Sequence, residues 1–416
     1  MSVTRRAALA ATLGLALSVS TGAKAADPIK IAFIDPLSGP FATTGESGLR
    51  TFEFAVDELV NKKGGVLGGR LFEIVALDNK ISPKESLIQL KRAISDGIQF
   101  IAQGNSSGVA NALTDAIEKH NKRNPDQRVL FMNYSAVDPA LTNDKCNFWH
   151  FRFDANADIK MDALTDVIAA NTDAKKVYLI GQDYSFGKAV AAAAEKYLAA
   201  KRPDIEIVGN ELHPIGKVKD FTPYATKIKA SGADAVITGN WGADMVGLGK
   251  AIIEAGVTAP IYTYYAAYDG ITATFGEQGK GIIRLVQQGK NNPPSPEFAA
   301  LVKKFKAKYP DNDINQSRIL NVVEMLAKAI EQAGSTDPVQ VAYALEGMEH
   351  DSVIGGKIVM RASDHQAIQD LQITVHTDED IVIDADNSGF GLKTEVDIPM
   401  AGADSPTTCK MTRPKV

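Results

Sequence analysis

Gly104, Ser106 and Gly108 stand in the stretch IAQGNSSGVANALTDAIEKH (residues 101–120), where a strand-like run gives way to a helix-like one. Gly-x-Ser-x-Gly at such a turn is the spelling of a hydrolase nucleophile, which also needs an acid, a histidine and an oxyanion loop of HGGG type. The six histidines (His120, His150, His213, His350, His365 and His376) are scattered, no HGGG loop exists, and only two strands precede the one carrying Ser106. A secreted serine hydrolase is therefore the weakest reading of this turn. The other chemistry is noncovalent. A helix start presents unpaired amides and a partial positive charge. Ser106, Ser107 and Gly108 could thus hold a carboxylate through hydroxyl and amide hydrogen bonds, with no counter-cation. The same serines could instead simply cap the helix.

Other strand ends carry related residues. Ser38-Gly39-Pro40 and Thr43-Thr44-Gly45 follow the first strand, and Tyr134, Ser135, Ala136 and Val137 follow the fourth. A later set is acidic and aromatic: Asp183, Tyr184 and Phe186, then Trp241, then Tyr264, Tyr265, Tyr268 and Asp269. The carboxyl ends of parallel strands are where open α/β sheets bind ligands. Rings placed there, outside helical core faces, suit closure over a small organic molecule.

Two further patterns concern metals and sulfur. DADNSGFGLKTE places Asp384, Asp386, Ser388 and Glu395 at the spacing of a calcium loop. Strand-like residues precede it, however, and Gly391 stands where such loops carry an apolar side chain, so a hairpin turn is the stronger expectation. No Walker A, HExxH, CxxC or convincing GxGxxG occurs, and no cofactor is expected. Cys146 and Cys409 are the two cysteines. In an oxidising compartment they would form a disulfide, which the loop-entropy relation values at roughly 5 kcal/mol.

The elements that position these residues alternate regularly. IKIAFI, LFEIVAL, IQFIAQ and RVLFMN read as strands. Between them lie helices, the first with Leu49, Phe52, Val56, Leu59 and Val60 on one face. KVYLIG, DIEIVGNEL, DAVITGN and PIYTYY repeat the scheme with their own helices. Two α/β lobes with parallel central sheets follow. Three helical segments come after GIIRLVQQ, and strand-like pieces resume at GKIVM, LQITVH and DIVID, so the chain crosses between lobes more than once.

At 416 residues, two domains are the natural division. A net charge of −5 without a basic stripe excludes a nucleic-acid surface. Arg5-Arg6, a short apolar run and Ala23-Lys24-Ala25 read as a secretory leader cleaved after about Ala25. No later run is long enough to span a bilayer, so an exported protein without direct membrane insertion is expected.

IKIAFIDPLSGPFATTGESG, the KGGVLGG turn, Asp78 with Pro83, the SSG after the third strand and ASDHQA at 362–367 together resemble the periplasmic solute-binding proteins of the branched-chain amino-acid type. The resemblance covers essentially the whole mature chain. It implies a type I periplasmic binding fold: two Rossmann-like lobes on a three-segment hinge, with 26–150 and 286–357 in one and 151–285 and 358–416 in the other. It implies the periplasm, a small-molecule ligand, and an ABC transporter permease with its ATPase as partners; a ligand sensor is the alternative. It further implies that Ser107, with Ser135 and the Ala136–Val137 backbone, holds the ligand carboxylate, and that Trp241 covers its side chain. The leucine-type proteins meet the ligand ammonium with a glutamate near the strand that here reads YTYY. Tyr264 and Tyr265 stand there instead, leaving Asp183 or Asp269 for the role, or an aromatic or other organic carboxylate or amide as the ligand.

Overall fold

The computed structural model describes residues 27–267, 269–290 and 292–415. The leader and its cleavage site, and Tyr268, lie outside the described residues. The first sheet begins at the unbroken apolar run: β1 (Ile29–Asp35) buries Ile31, Ala32, Phe33 and Ile34 completely, as a parallel strand covered on both faces must. α1 (Ala42–Leu59) buries Phe52, Ala55, Val56 and Leu59 on one stripe, and a glycine turn returns the chain to β2 (Phe72–Asp78). α2 (Pro83–Ser95) starts on Ser82, whose Oγ accepts from the Glu85 amide. β3 (Phe100–Gln103), α3 (Ser107–Arg123), β4 (Leu130–Asn133) and β5 (His150–Arg152) complete a sheet of order β2-β1-β3-β4-β5.

The second sheet repeats that order. α4 (Ala157–Ala170) leads into β6 (Lys176–Gln182), α5 (Ser185–Lys201), β7 (Glu206–His213) and α6 (Thr222–Ser231). β8 (Ala235–Thr238), α7 (Gly242–Glu254), β9 (Ile261–Thr263), α8 (Ile271–Phe275) and β10 (Ile283–Gln288) follow. The strands lie β7-β6-β8-β9-β10, extended by antiparallel β14 (Leu371–Thr377) and β15 (Gly391–Ile398). The two-residue period of a pleat shows directly. Val177 and Leu179 pack with Ile237 and Val286 on one face, Tyr178 and Ile180 with Val236 and Ile261 on the other.

α9 (Pro296–Lys308), α10 (Arg318–Ala333) and α11 (Pro338–Leu345) return to the first lobe and share its core. A small sheet of β11 (Glu349–Asp351), β12 (Lys357–Met360) and β13 (Ala367–Gln369) also packs there through Ile358 and Met360. The chain thus crosses after β5, after β10 and between β13 and β14. The tail then crosses a fourth time: Cys409 is bonded to Cys146, and Arg413 pairs with Glu346. Residues 358–367 and the tail around Cys409 therefore lie against the first lobe, not the second as expected, because their apolar and sulfur partners are there, whereas Ile368 already packs in the second lobe's cluster. Residues 380–384, expected as a strand, are irregular, and α4 and β5 were not foreseen.

In each sheet the strand order reverses beside the first strand, between β1 and β3 and between β6 and β8. Such switch points leave a crevice at the carboxyl ends of the strands. Here the two crevices face each other.

Candidate ligand-binding cleft

The first lobe's wall is set by a buried acid. Asp35, at the end of β1, accepts from the amides of Gly104 (3.1 Å) and Asn105 (3.0 Å) and from the Tyr134 hydroxyl. Burial pushes its carboxyl up to about 7 against the pull of those donors. The Tyr134 ring lies so close that a Cβ on Gly104 would fall 2.4 Å from it. The pinned turn holds Ser106 at φ +80°, outside the comfortable range of a non-glycine residue. Ser106 makes no capping bond through its side chain, so capping is not what its hydroxyl does. Ser107 is buried, and its Oγ accepts from the Asp138 amide at 3.2 Å. Ser135, Ala136 and Val137 continue the wall. The Ala136 amide, implied as a ligand donor, is instead taken by Asn133 Oδ1 at 2.7 Å, which holds the turn after β4 in shape.

The second lobe's wall is aromatic. Tyr184 and Trp241 are the residues just before α5 and α7, and Trp241 Nε1 donates to the Tyr184 hydroxyl at 2.9 Å. Phe186 stacks edge-on against Tyr264, whose hydroxyl donates to the Ala157 carbonyl. The walls meet at Phe41. This first-lobe side chain is 1% exposed and sits in the second lobe's apolar cluster, 4.4 Å from the Trp241 ring. Gly242 makes room: at φ +58°, a Cβ there would lie 2.7 Å from the Phe41 ring.

A charged floor completes the enclosure. Asp154, in the first crossing, pairs with Lys160 of α4 at 2.8 Å and with Arg318 of α10 at 3.3 Å, and accepts from the Tyr265 hydroxyl at 3.0 Å. Burial lowers Lys160 to about 8 although Asp154 opposes it. The ASDHQA segment braces this crossing, Gln366 Nε2 donating to the Asp154 carbonyl at 2.9 Å. Asp269 also lines the cleft, bonded to Ser47 and Asn315 across it and pushed up to about 7 by burial. Altogether about 890 Å³ of atom-free space, the mouth included, lies between the walls.

Of the residues singled out in the sequence, Ser106, Ser107, Ser135, Ala136, Val137, Tyr184, Trp241, Tyr264, Tyr265 and Asp269 line this space. Ser38 does not: its hydroxyl donates to Asp78, which also accepts from the Leu37 amide, so it braces the turn after β1. Asp183 is exposed and pairs with Lys188, which removes it as an ammonium partner. The calcium-loop residues diverge. Asp386 accepts from amides at the start of α8, Glu395 pairs with Arg284, Asp384 takes the Gly389 amide and Ser388 donates to Ala385. Among the described residues no histidine lines the cleft, so Ser106 has no imidazole base. Asp154, Lys160 and Arg318 were missed, as was the possibility of a cation beside the serines.

An enclosed cleft between two switch-point crevices defines a two-lobed ligand-binding protein. The periplasmic binding protein family matches residues 28–379, and the chain belongs to that family. It is 32% identical over 366 residues to the Leu/Ile/Val-binding protein homolog 4 of Brucella abortus (strain 2308), covering 86% of each chain. The solved leucine-, isoleucine-, valine-, threonine- and alanine-binding protein of Brucella ovis, in its closed conformation, superposes with a TM-score of 0.81 at 29% identity, over 94% of this chain and 100% of that one. The fold is also that of a solute binding protein of an ABC transporter from Rhodopseudomonas palustris HaA2 in complex with p-hydroxybenzoic acid (TM-score 0.76, 22% identity, 90% and 97% covered).

Proposed function

We propose that this chain is the exported receptor of an ABC importer: it captures a small carboxylate-bearing solute in the periplasm and delivers it, chemically unchanged, to the permease and its ATPase. The first candidate is an amino acid of the branched-chain or hydrophobic class, the class named for the Brucella relatives. The observation that carries the reading is the pairing of a hydroxyl-and-amide wall at the start of α3 with a ring-lined wall opposite. The first grips a carboxylate; the second covers an apolar body. Asp269 is the acid left to meet an ammonium.

A second reading, an aromatic carboxylate, is favoured by Tyr264 and Tyr265 at the end of β9, where an acid would serve a zwitterion. A buried ammonium without a partner costs several kcal/mol. A thermal-shift screen of the mature protein, followed by calorimetry, tests both. A ligand at 100 times its dissociation constant stabilises by about 2.7 kcal/mol, and leucine, isoleucine and valine should raise the melting point more than benzoates. Benzoates ahead of the aliphatic amino acids would install the second reading. Turnover of an ester lost in Ser106→Ala would overturn both. N-terminal sequencing of the exported protein should begin at about Ala26.

A further inference from the structure

The donors on the first lobe's wall are neutral, and one charged group stands directly behind them. Arg318 opens α10, and its guanidinium reaches the turn after β4. Nε donates to the Tyr134 carbonyl at 2.8 Å and Nη2 to Ser135 Oγ at 2.6 Å. The side chain lines the cleft and is 14% exposed. Its Nη1 makes no hydrogen bond to the described residues.

Two details give this arrangement a direction. Asp154, the one carboxylate that pairs with Arg318, also holds Lys160 at 2.8 Å. One anion between two cations leaves a positive charge over within this group, and the other lining acid, Asp269, bonded to Ser47 and Asn315, forms no ion pair with either cation among the described residues. Ser135 Oγ, meanwhile, accepts from Arg318, so the proton of that hydroxyl is free to be donated elsewhere. The guanidinium polarises the O–H and supplies the charge that neither the hydroxyl nor the α3 amides carry.

We infer that Arg318 is the counter-ion of the solute's carboxylate, acting through its open Nη1 and the Ser135 hydroxyl, and that it makes the cleft reject the isosteric amide. The inference rests on the reading of the cleft as a carboxylate receptor. A carboxylate offers acceptors to every donor present, and hydrogen bonds to charged groups are the strong ones. An amide turns its NH2 toward donors and leaves buried polar groups unpaired, which is the most effective basis for discrimination.

The test is calorimetry on the mature protein with three acid–amide pairs: L-leucine and L-leucinamide, benzoate and benzamide, acetate and acetamide. The wild type should prefer the acid of whichever pair binds by about 100-fold or more. Arg318→Gln should weaken the acid about 30-fold and move the amide less than about 3-fold, so the preference collapses. Arg318→Lys, which keeps the charge and loses the fork, should restore part of it. Equal losses for acid and amide would make Arg318 a structural brace and overturn the inference, as would an Arg318→Gln protein that binds the acid undiminished. Should Arg318→Gln fail to fold, the wild-type ratio and Arg318→Lys decide, and a wild-type ratio near one overturns the inference alone. If no acid binds the wild type, acetate at about 100 mM included, the carboxylate reading falls with it.

Discussion

The two walls of the cleft come from sheets of the same strand order and differ in almost everything else. At the ends of β3 and β4 the chain presents hydroxyls and amides, fixed by short bonds to Asp35 and Asn133. At the ends of β6, β8 and β9 it presents rings, which touch each other and, through Phe41, the opposite lobe. The shared topology decides where a ligand sits; the residues just past each strand decide what it is. The polar wall is held chiefly from within its own lobe, by Asp35 and Asn133, with the Tyr265 hydroxyl reaching the Ser135 carbonyl from the other side at 3.3 Å. The aromatic wall is completed only when the lobes meet.

The division is open to breakage in order of size. Phe41→Ala should cost the most: truncating a buried phenylalanine is worth about 3–5 kcal/mol, so ligand affinity should fall by 100-fold or more, roughly two powers of ten at 1.4 kcal/mol each. The ligand-free melting point should hardly move, since the contact belongs to closure. An equal drop in both would place Phe41 in the fold and erase the contrast.

The polar wall is probed through Asp35. Its carboxyl is raised to about 7 in the folded chain, from about 4 when unfolded. The folded state therefore holds an extra proton between these values, and the stability this contributes is full below pH 4 and lost as pH rises through 7. The advantage of the wild type over Asp35→Asn should shrink by about 2–3 kcal/mol from pH 5 to pH 8, read from urea midpoints. A constant difference would mean that the Tyr134 and amide donors keep the carboxylate ionised throughout. The smallest effect separates neighbours. Ser106→Ala should weaken the ligand about 5-fold with no loss of melting point, because its hydroxyl caps nothing. Ser107→Ala should lower both, because Asp138 loses an acceptor. Identical behaviour of the two would deny Ser106 a place at the ligand.

Much of this was legible before any coordinates. β1 shows because four consecutive apolar side chains are buried, and the serines after β3 show because a strand-to-helix turn is easily recognised. The floor left no such trace. Arg318 bonds to residues 183 and 184 positions away, and no local spacing encodes that. Lys160 sits on α4, where Ile159, Lys160 and Met161 are buried in succession, so the helix lacks the two-faced pattern that would reveal it. A lysine inside that mostly apolar run was the one available hint. Ser38 and Asp183 misled for the opposite reason: each follows a strand as a ligand residue would, yet finds a protein partner in Asp78 and Lys188.

The bond between Cys146 and Cys409 has a mechanical corollary. It closes a covalent ring that contains the entire second sheet. Tension applied at the two ends of the chain runs through the first lobe and across the sulfurs, and the second lobe carries none of it. Stretched singly, the oxidised protein should stop short. Adding reductant should release a further 263 residues of contour, roughly 900 Å at about 3.5 Å each.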